Sequence, residues 1–314
     1  MAQEIIVPAR QSAETLENYL GRSFPIGYVR KLFRRNGVRL NGRRVKALEL
    51  VHSGDRIELF IPFEFAPGAA TSRQKASKID VLFEDADLLV LNKPSGVAVH
   101  EAKNIAKNRT LIGLLEAHFR QASFKPRLVH RLDKDTSGLL LVAKTEEVAR
   151  ELETRFEAGT IKKEYLCLIA GRPAQDRGTI DFPLPGRDKK PVRAITHYRI
   201  EKRFFDTALA RVTIETGRMH QIRLHFAKLG YPVVMDNQHG DFTFNKSFRK
   251  RIGLKRQFLH ATRMAISFRG KHYSWEAPLP EDFRRVVEAL ADEQRGLGSR
   301  RESHLFAPPR RGGA

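Results

Sequence analysis

Beyond Gly159 the chain offers one strand-like run after another, at 161–170, 179–183, 193–200 and 208–215. Helical patterns break in at irregular intervals: one begins near Arg218, strands return around Phe258 and Trp275, and a last helix is expected from about Glu281 to Ala291. A doubly wound fold needs strand and helix to alternate regularly, whereas strands arriving in blocks pair with their neighbours through short connections. The pattern therefore predicts an α+β fold, with a mixed, mainly antiparallel sheet flanked by helices.

Upstream, residues 79–93 give two strand-like runs joined by an acidic turn. Thr110 is placed to cap a helix whose Leu111, Leu114, Leu115 and Phe119 share a face, and Thr145 to cap another with Glu146 and Glu147 in its positive first turn. Nearer the N-terminus, from 13 to 61, the pattern changes. Ala13, Leu16 and Leu20 form one helical stripe, and Ile26, Val29, Leu32 and Phe33 a second, begun by Pro25 and stopped by Asn36-Gly37. Arg30, Lys31, Arg34 and Arg35 lie on the other side of that second helix. A tight hairpin at Asn41-Gly42 and a turn at Ser53-Gly54-Asp55 follow. Residues 62–78, rich in Pro, Gly, Ala and Ser, read as a linker, 79–292 as the main domain, and 293–314 as a basic, disordered tail.

The 314 residues suffice for a catalytic core and one small module. Lys and Arg number 57 against 36 Asp and Glu, a net charge of +21, while 41% hydrophobic residues still support a core. That balance suits a nucleic-acid partner, and charge alone would equally fit a ribosome-associated or membrane-surface protein. Cys167 is the only cysteine, which excludes an internal disulfide and a Cys-rich zinc site and suits a reducing cytoplasm. No basic flank with an apolar core opens the chain and no apolar run approaches the ~20 residues of a membrane span, so a cytoplasmic protein is expected. No phosphate loop or dinucleotide fingerprint is present, which predicts chemistry without a nucleotide cofactor. His220 and His225 are five apart with no acidic ligand between them, and no metal is expected.

Three segments carry candidate chemistry. His130–Lys144 sets Asp133 on a polar turn before the apolar run Leu139-Leu140-Leu141-Val142, flanked by Arg131 and Lys134, two cations that would attract a polyanion. Taken alone, Asp133 and Asp135 could equally hydrogen-bond a surface turn. Lys162–Gly171 alternates as a strand and places Tyr165 and Cys167 on one face, where Tyr165 could simply be core. In Gly217–His225, Met219, Ile222, Phe226 and Leu229 have the spacing of a buried helical stripe, and His220 and Arg223 share a neighbouring face.

The strings HRLDKDTSG with GLLLVAK, KKEYL, and GRMHQIRLH, in that order, resemble the signatures of the RluA-type family of RNA pseudouridine synthases. Pro94–His100 and Leu259-His260-Ala261 agree with it, and the likeness extends from about Met1 to the last helix. The resemblance implies isomerisation of uridines within RNA, with no cofactor and no cosubstrate. It makes Asp133 the catalytic residue, pairs Arg223 with it, and sets Tyr165 beside the base as a candidate proton-transfer group. Arg131, His130, Lys134, Arg218, His220 and Gln221 are expected to contact RNA, with Arg131 holding phosphate or intercalating as the base leaves its stack. His130 is expected rather to brace the loop than to react.

Residues 13–61 resemble the S-four (alpha-L) RNA-binding domain, which adds Arg30, Lys31, Arg34 and Arg35 as RNA contacts. The basic segment 245–256 resembles the branch that modifies large-subunit ribosomal RNA at more than one site, the synthase C branch, and would add phosphate contacts outside the cleft. Ribosomal RNA and a monomer are therefore expected. The family commonly carries Tyr before Gly in an Asp-x-x-Tyr-Gly string, where this chain reads Asp236-Asn237-Gln238-His239-Gly240. Competing readings are the same chemistry on transfer RNA, a non-catalytic RNA-binding scaffold, and a glycosidase using Asp133 and Asp135. The last is disfavoured because carboxylates two apart in a turn make a poor pair for flanking a glycosidic bond, and Lys134 between them favours ionisation of both.

Overall fold

The computed structural model describes residues 2–9, 14–24, 29, 32–34, 36–60, 79–101, 105–186, 188 and 190–305. Ala13, Pro25, Ile26, Arg30, Lys31, Arg35, the expected linker 62–78 and the tail from 306 onward lie outside them. The chain divides into two compact units, Met1–Lys78 and Ile79–Ala314.

In the first unit, β1 (Ala2–Ile6), β2 (Val38–Leu40), β3 (Arg43–Arg44) and β4 (Arg56–Phe60) form a sheet of order β1-β4-β2-β3. Asn41 and Gly42 both have positive φ, 53° and 78°, which is the two-residue turn whose twist matches an antiparallel hairpin. Helix α1 (Leu16–Ser23) is capped by the Thr15 hydroxyl, which accepts from the Asn18 N–H. Leu16 and Leu20 pack with Val29, Leu32, Val38, Ile57 and Leu59. The expected start of the module at residue 13 is corrected: β1 pairs antiparallel with β4, from Ala2↔Phe60 to Ile6↔Arg56. Among the four basic residues expected on the second helix, Arg34 is helical and exposed.

The second unit is built on β5 (Val81–Glu84), β6 (Leu88–Lys93), β7 (Ser137–Ala143), β8 (Lys162–Ala170), β9 (Arg177–Ile180), β10 (Thr196–Arg203), β11 (Thr207–Ile214), β12 (Leu259–Phe268) and β13 (Lys271–Glu276). Their order is β9-β10-β11-β8-β12-β7-β6-β5, with β13 added beside β12 and Arg127–Leu128 beside β7. Among the described strands, the pairing of β7 with β12 is parallel and the rest are antiparallel. Every residue of β7 is buried, as its continuous apolar run requires of a strand covered on both faces.

Helices α2 (Leu111–His118) and α3 (Glu146–Glu157) begin at Thr110 and Thr145, whose hydroxyls accept from the Gly113 and Val148 N–H groups. On one face of the sheet Leu139, Leu141, Cys167, Ala210 and Ile222 belong to a large core. Leu166, Leu168, Leu209, Phe248, Phe258 and Phe283 form a second core under α5 (Phe242–Ile252) and α6 (Glu281–Leu305). Helix α6 continues past the expected end at Ala291 into the segment expected to be disordered. Glu293, Gln294 and Arg295 are good helix formers that carry on a helix already anchored by Phe283, Val286 and Leu290.

Candidate active site

Asp133 stands on the loop entering β7, and that loop is held from beneath by Lys93 at the end of β6. The Lys93 side chain is fully buried, and its ammonium donates to the carbonyls of Pro94 (2.8 Å), Val97 (2.8 Å) and Lys134 (3.0 Å). Three protons meet three acceptors. Burial pulls its pKa down to about 7, against the upward pull of the Asp135 and Asp133 charges. The Gly96 N–H donates to the Lys134 carbonyl and the Ser95 hydroxyl to that of Asp135, so segments 94–97 and 133–135 are tied together.

Behind the loop, Gly138 has φ +110°, and a Cβ there would lie 2.2 Å from the Ala261 carbonyl oxygen. This close approach is what lets β7 run parallel to β12, and it admits only glycine.

The second contribution comes from α4 (Gln221–Lys228), which starts three residues later than expected. His220 precedes it in the left-handed region, φ 54°, and its side chain makes no cap. Gln221 folds back instead. Its Oε1 accepts from the Arg218 N–H and the Thr216 hydroxyl, and its Nε2 donates to the Ile195 carbonyl and the Thr196 hydroxyl. The expected RNA contact by Gln221 is thus corrected: the side chain is buried and committed to the turn.

Arg223, 5% exposed, gathers the site. Its Nε and Nη2 grip Asp236 (2.7 and 2.8 Å), Nη2 also donates to Gln238 Oε1 (2.9 Å), and Nη1 donates to Asp133 Oδ2 (2.9 Å). Burial works against the guanidinium charge, but the hydrogen bonds to Asp236 and Asp133 override it and hold the group above its ordinary value. Burial likewise disfavours the Asp236 carboxylate, and Arg223 with the N–H groups of Gln238 and His239 brings it below the usual range. Asp236 is therefore the buried counter-ion that fixes the fork, so that Nη1 is left to hold Asp133.

The other oxygen of Asp133 faces His220 Nε2 across 3.8 Å. His220 Nδ1 meets His239 Nε2 at 3.0 Å. Burial lowers the His220 pKa and favours the neutral ring, although the Asp133 charge pulls the other way. A neutral ring that turns an N–H toward the carboxylate must accept at Nδ1, which makes His239 the donor. The His239 backbone in turn donates to Asp236 Oδ1, so both connections to Asp133 lead back to one buried carboxylate.

Tyr165 comes from β8. It is buried against the cleft, and burial, aided by the Asp133 charge, raises its phenol well above the ordinary value. Burial also pushes the Cys167 thiol up, an inert core position. Arg131, Asp133, Tyr165, Arg218, His220 and Arg223 line a cleft of about 610 Å³. Arg131 and Lys134 are exposed, and Arg218 reaches the Arg193 carbonyl. Among the described residues no three His, Cys, Asp or Glu side chains are grouped to hold a metal ion.

The RNA grouping of His130 and the buried stripe expected at Met219 differ from what the structure places there. His130, grouped with the RNA contacts, accepts from the Leu141 N–H at 2.8 Å and stacks on Phe156, while burial drives its pKa to about 3. It is a neutral brace for β7 rather than an RNA contact. Met219, placed in a buried stripe, is 63% exposed at the cleft mouth because the turn ends before α4 begins. Asp236, His239 and Lys93 also belong to the site, beyond the residues that the sequence motifs single out. The departure at His239 pointed to the right turn, but nothing local in the sequence pairs a distant Asp with Arg223.

Residues 87–228, which contain Asp133, Tyr165 and Arg223, match the RNA pseudouridylate synthase family. YlyB of Bacillus subtilis (strain 168), described as an uncharacterized RNA pseudouridine synthase, is 33% identical over 307 residues, covering 91% of this chain and 97% of its own length. Ribosomal large subunit pseudouridine synthase C of Salmonella typhi is 31% identical over 311 residues, covering 91% and 96%. In fold, human RNA pseudouridylate synthase domain containing 4 superposes with a TM-score of 0.59 at 23% identity, covering 69% of this chain and 95% of its own. The chain belongs to the RluA-type family of RNA pseudouridine synthases, and is an isomerase of that class.

Proposed function

We propose that this protein isomerises specific uridines of large-subunit ribosomal RNA to pseudouridine, with Asp133 as its catalytic carboxylate. The observation that carries the reading is the chain Asp133–Arg223–Asp236 at a cleft that also holds Tyr165. The reaction breaks the bond from the sugar C1′ to N1, turns the uracil, and joins C1′ to C5. A proton leaves C5 and one ends on N1, so no donor, oxidant or cosubstrate is consumed. Asp133 can serve by attacking covalently or by removing a sugar proton as general base. Arg223 ties down Oδ2 and leaves Oδ1 on the side of His220. A neutral Tyr165 offers a ring to the base and a hydroxyl near C5. Exposed Arg131 and Arg218, which line the cleft, and exposed Lys134 next to Asp133 in the chain are the phosphate contacts.

Large-subunit ribosomal RNA is favoured over transfer RNA by the name of the Salmonella typhi relative, matched over 96% of its length. We read the first unit as an S-four RNA-binding module, in which Arg30, Lys31, Arg34 and Arg35 meet RNA. The Asn41-Gly42 hairpin and exposed Arg34 and Arg44 support it. The working form is a cytoplasmic monomer. Mapping pseudouridines in total RNA from cells with and without the gene tests the target: specific positions should vanish from large-subunit ribosomal RNA. Loss confined to transfer RNA would overturn the target and leave the enzyme class standing.

A further inference from the structure

We infer that α5 is a landing rail for the single-stranded RNA flanking the target uridine, with Phe242 stacking a neighbouring base and Lys246, Arg249 and Lys250 holding its phosphates. The inference rests on the RNA substrate proposed above and adds a single-strand track with a stacking ring at its head. The sequence marks 245–256 as a basic segment with phosphate contacts outside the cleft, and leaves its conformation and the part of Phe242 open. It is instead a capped helix, with Asp241 accepting from the Phe244 N–H at its start and Gly253 in the left-handed region at its end.

A helix makes the placement of charge definite. At 100° per residue Phe242, Lys246, Arg249 and Lys250 fall within an arc of about 100°. Asn245 and Phe248 point elsewhere and are buried. Phe242 is 64% exposed, and among the described residues no aromatic ring or cation packs on it. Lys246, Arg249 and Lys250 are exposed, and no carboxylate of the described residues pairs with them. Neighbouring cations are used differently: Arg251 pairs with Asp206 and Glu293, and Arg256 with Asp282. Asp241 is the acidic group at this end, and it is spent on the cap. An unpaired cationic stripe with a bare aromatic ring at its head is the combination that tracks a single strand, by counter-ion release and by base stacking.

The helix is also joined to the catalytic cluster. Asn245 accepts from the Met235 N–H at 2.7 Å and donates to the Asp236 carbonyl at 2.9 Å. The residue that carries the rail's buried face thus clamps the turn that positions Arg223. RNA laid along α5 is held in a fixed relation to Asp133.

The test uses the full-length protein, an unmodified large-subunit ribosomal RNA transcript, and two variants that touch only exposed side chains: the triple K246Q/R249Q/K250Q and F242A. Affinity is measured across salt concentrations, and single-turnover pseudouridine formation at saturating RNA. The triple variant should lower the slope of log affinity against log salt by about 2, at roughly 0.7 per phosphate contact, with the saturating rate within about twofold of wild type. F242A should weaken binding at least about fivefold with the slope unchanged. Wild-type slope and affinity in both variants would overturn the rail, whether α5 meets another macromolecule or only solvent. If wild-type protein forms no pseudouridine on this RNA, the proposed target fails instead, and the two failures are separately visible.

Discussion

Replacing Asp236 by Asn should damage both stability and catalysis, although residue 236 lines no part of the cleft. Asp236 Oδ1 accepts from Arg223 Nη2, the Gln238 N–H and the His239 N–H, while Oδ2 accepts from Arg223 Nε alone. Asn fits the space with its oxygen on the side of the three donors, and its NH₂ then faces Arg223 Nε. One charge-assisted hydrogen bond, about 1.5–3 kcal/mol, is lost and replaced by a clash of donors. The buried guanidinium also loses the counter-ion that grips it with two arms. Breaking a buried pair from one side costs about 3–5 kcal/mol, and Asp133 still compensates part of that, so a loss of about 3 kcal/mol is expected. For a unit of this size that is roughly 6–12 °C in Tm.

Arg223 would then turn further toward Asp133, and the carboxylate would leave its working position. Thermal unfolding and single-turnover pseudouridine formation measure the two effects separately. A Tm within about 2 °C of wild type together with a rate within threefold would refute the idea that Asp236 anchors the site.

Three other substitutions probe neighbouring parts. His239→Phe removes the donor that orients His220; loss of one hydrogen bond of about 1.4 kcal/mol predicts a roughly tenfold lower kcat with KM little changed. His239→Tyr keeps a donor and should recover most of the rate, and equal rates for the two would show that the orienting bond is idle. For Tyr165 the raised phenol pKa means that the proton stays on below about pH 10, so Tyr165→Phe should shift rate without reshaping the pH profile up to that value. A limb of the profile near neutrality that disappears in Tyr165→Phe would contradict this. Gly138→Ala drives a methyl into the Ala261 carbonyl at positive φ and should cost more than about 3 kcal/mol, read as collapse of soluble yield or Tm; a Tm near wild type would contradict the tight parallel seam.

What the sequence made legible was local. Thr110, Thr145 and the Asn41-Gly42 turn each act within a few residues, and each sits where side-chain and backbone chemistry put it. The approach of Arg223 to Asp133 followed from resemblance, since ninety positions separate the two and no periodicity connects them. The features that escaped are all products of tertiary structure. β1 pairs across fifty or more residues with β4, Lys93 looks like the end of an apolar strand until its three carbonyl partners are seen, and Asp236 becomes an anchor only when its side chain meets Arg223 of α4. Met219 kept helical spacing but fell in the turn, where His220 takes a left-handed conformation that no pattern of hydrophobicity reveals.

The most direct measurement compares wild-type protein and Asp133→Asn on an unmodified large-subunit ribosomal RNA transcript, recording pseudouridine formed in a single turnover and RNA bound at equilibrium. Asp133 is partly exposed on a loop, and the substitution leaves the Arg223 grip on Asp236 intact, so the variant should fold and bind RNA much as wild type does. Wild-type protein should form pseudouridine at discrete positions and the variant none. Comparable pseudouridine from Asp133→Asn would contradict the assignment of that carboxylate as the catalytic group.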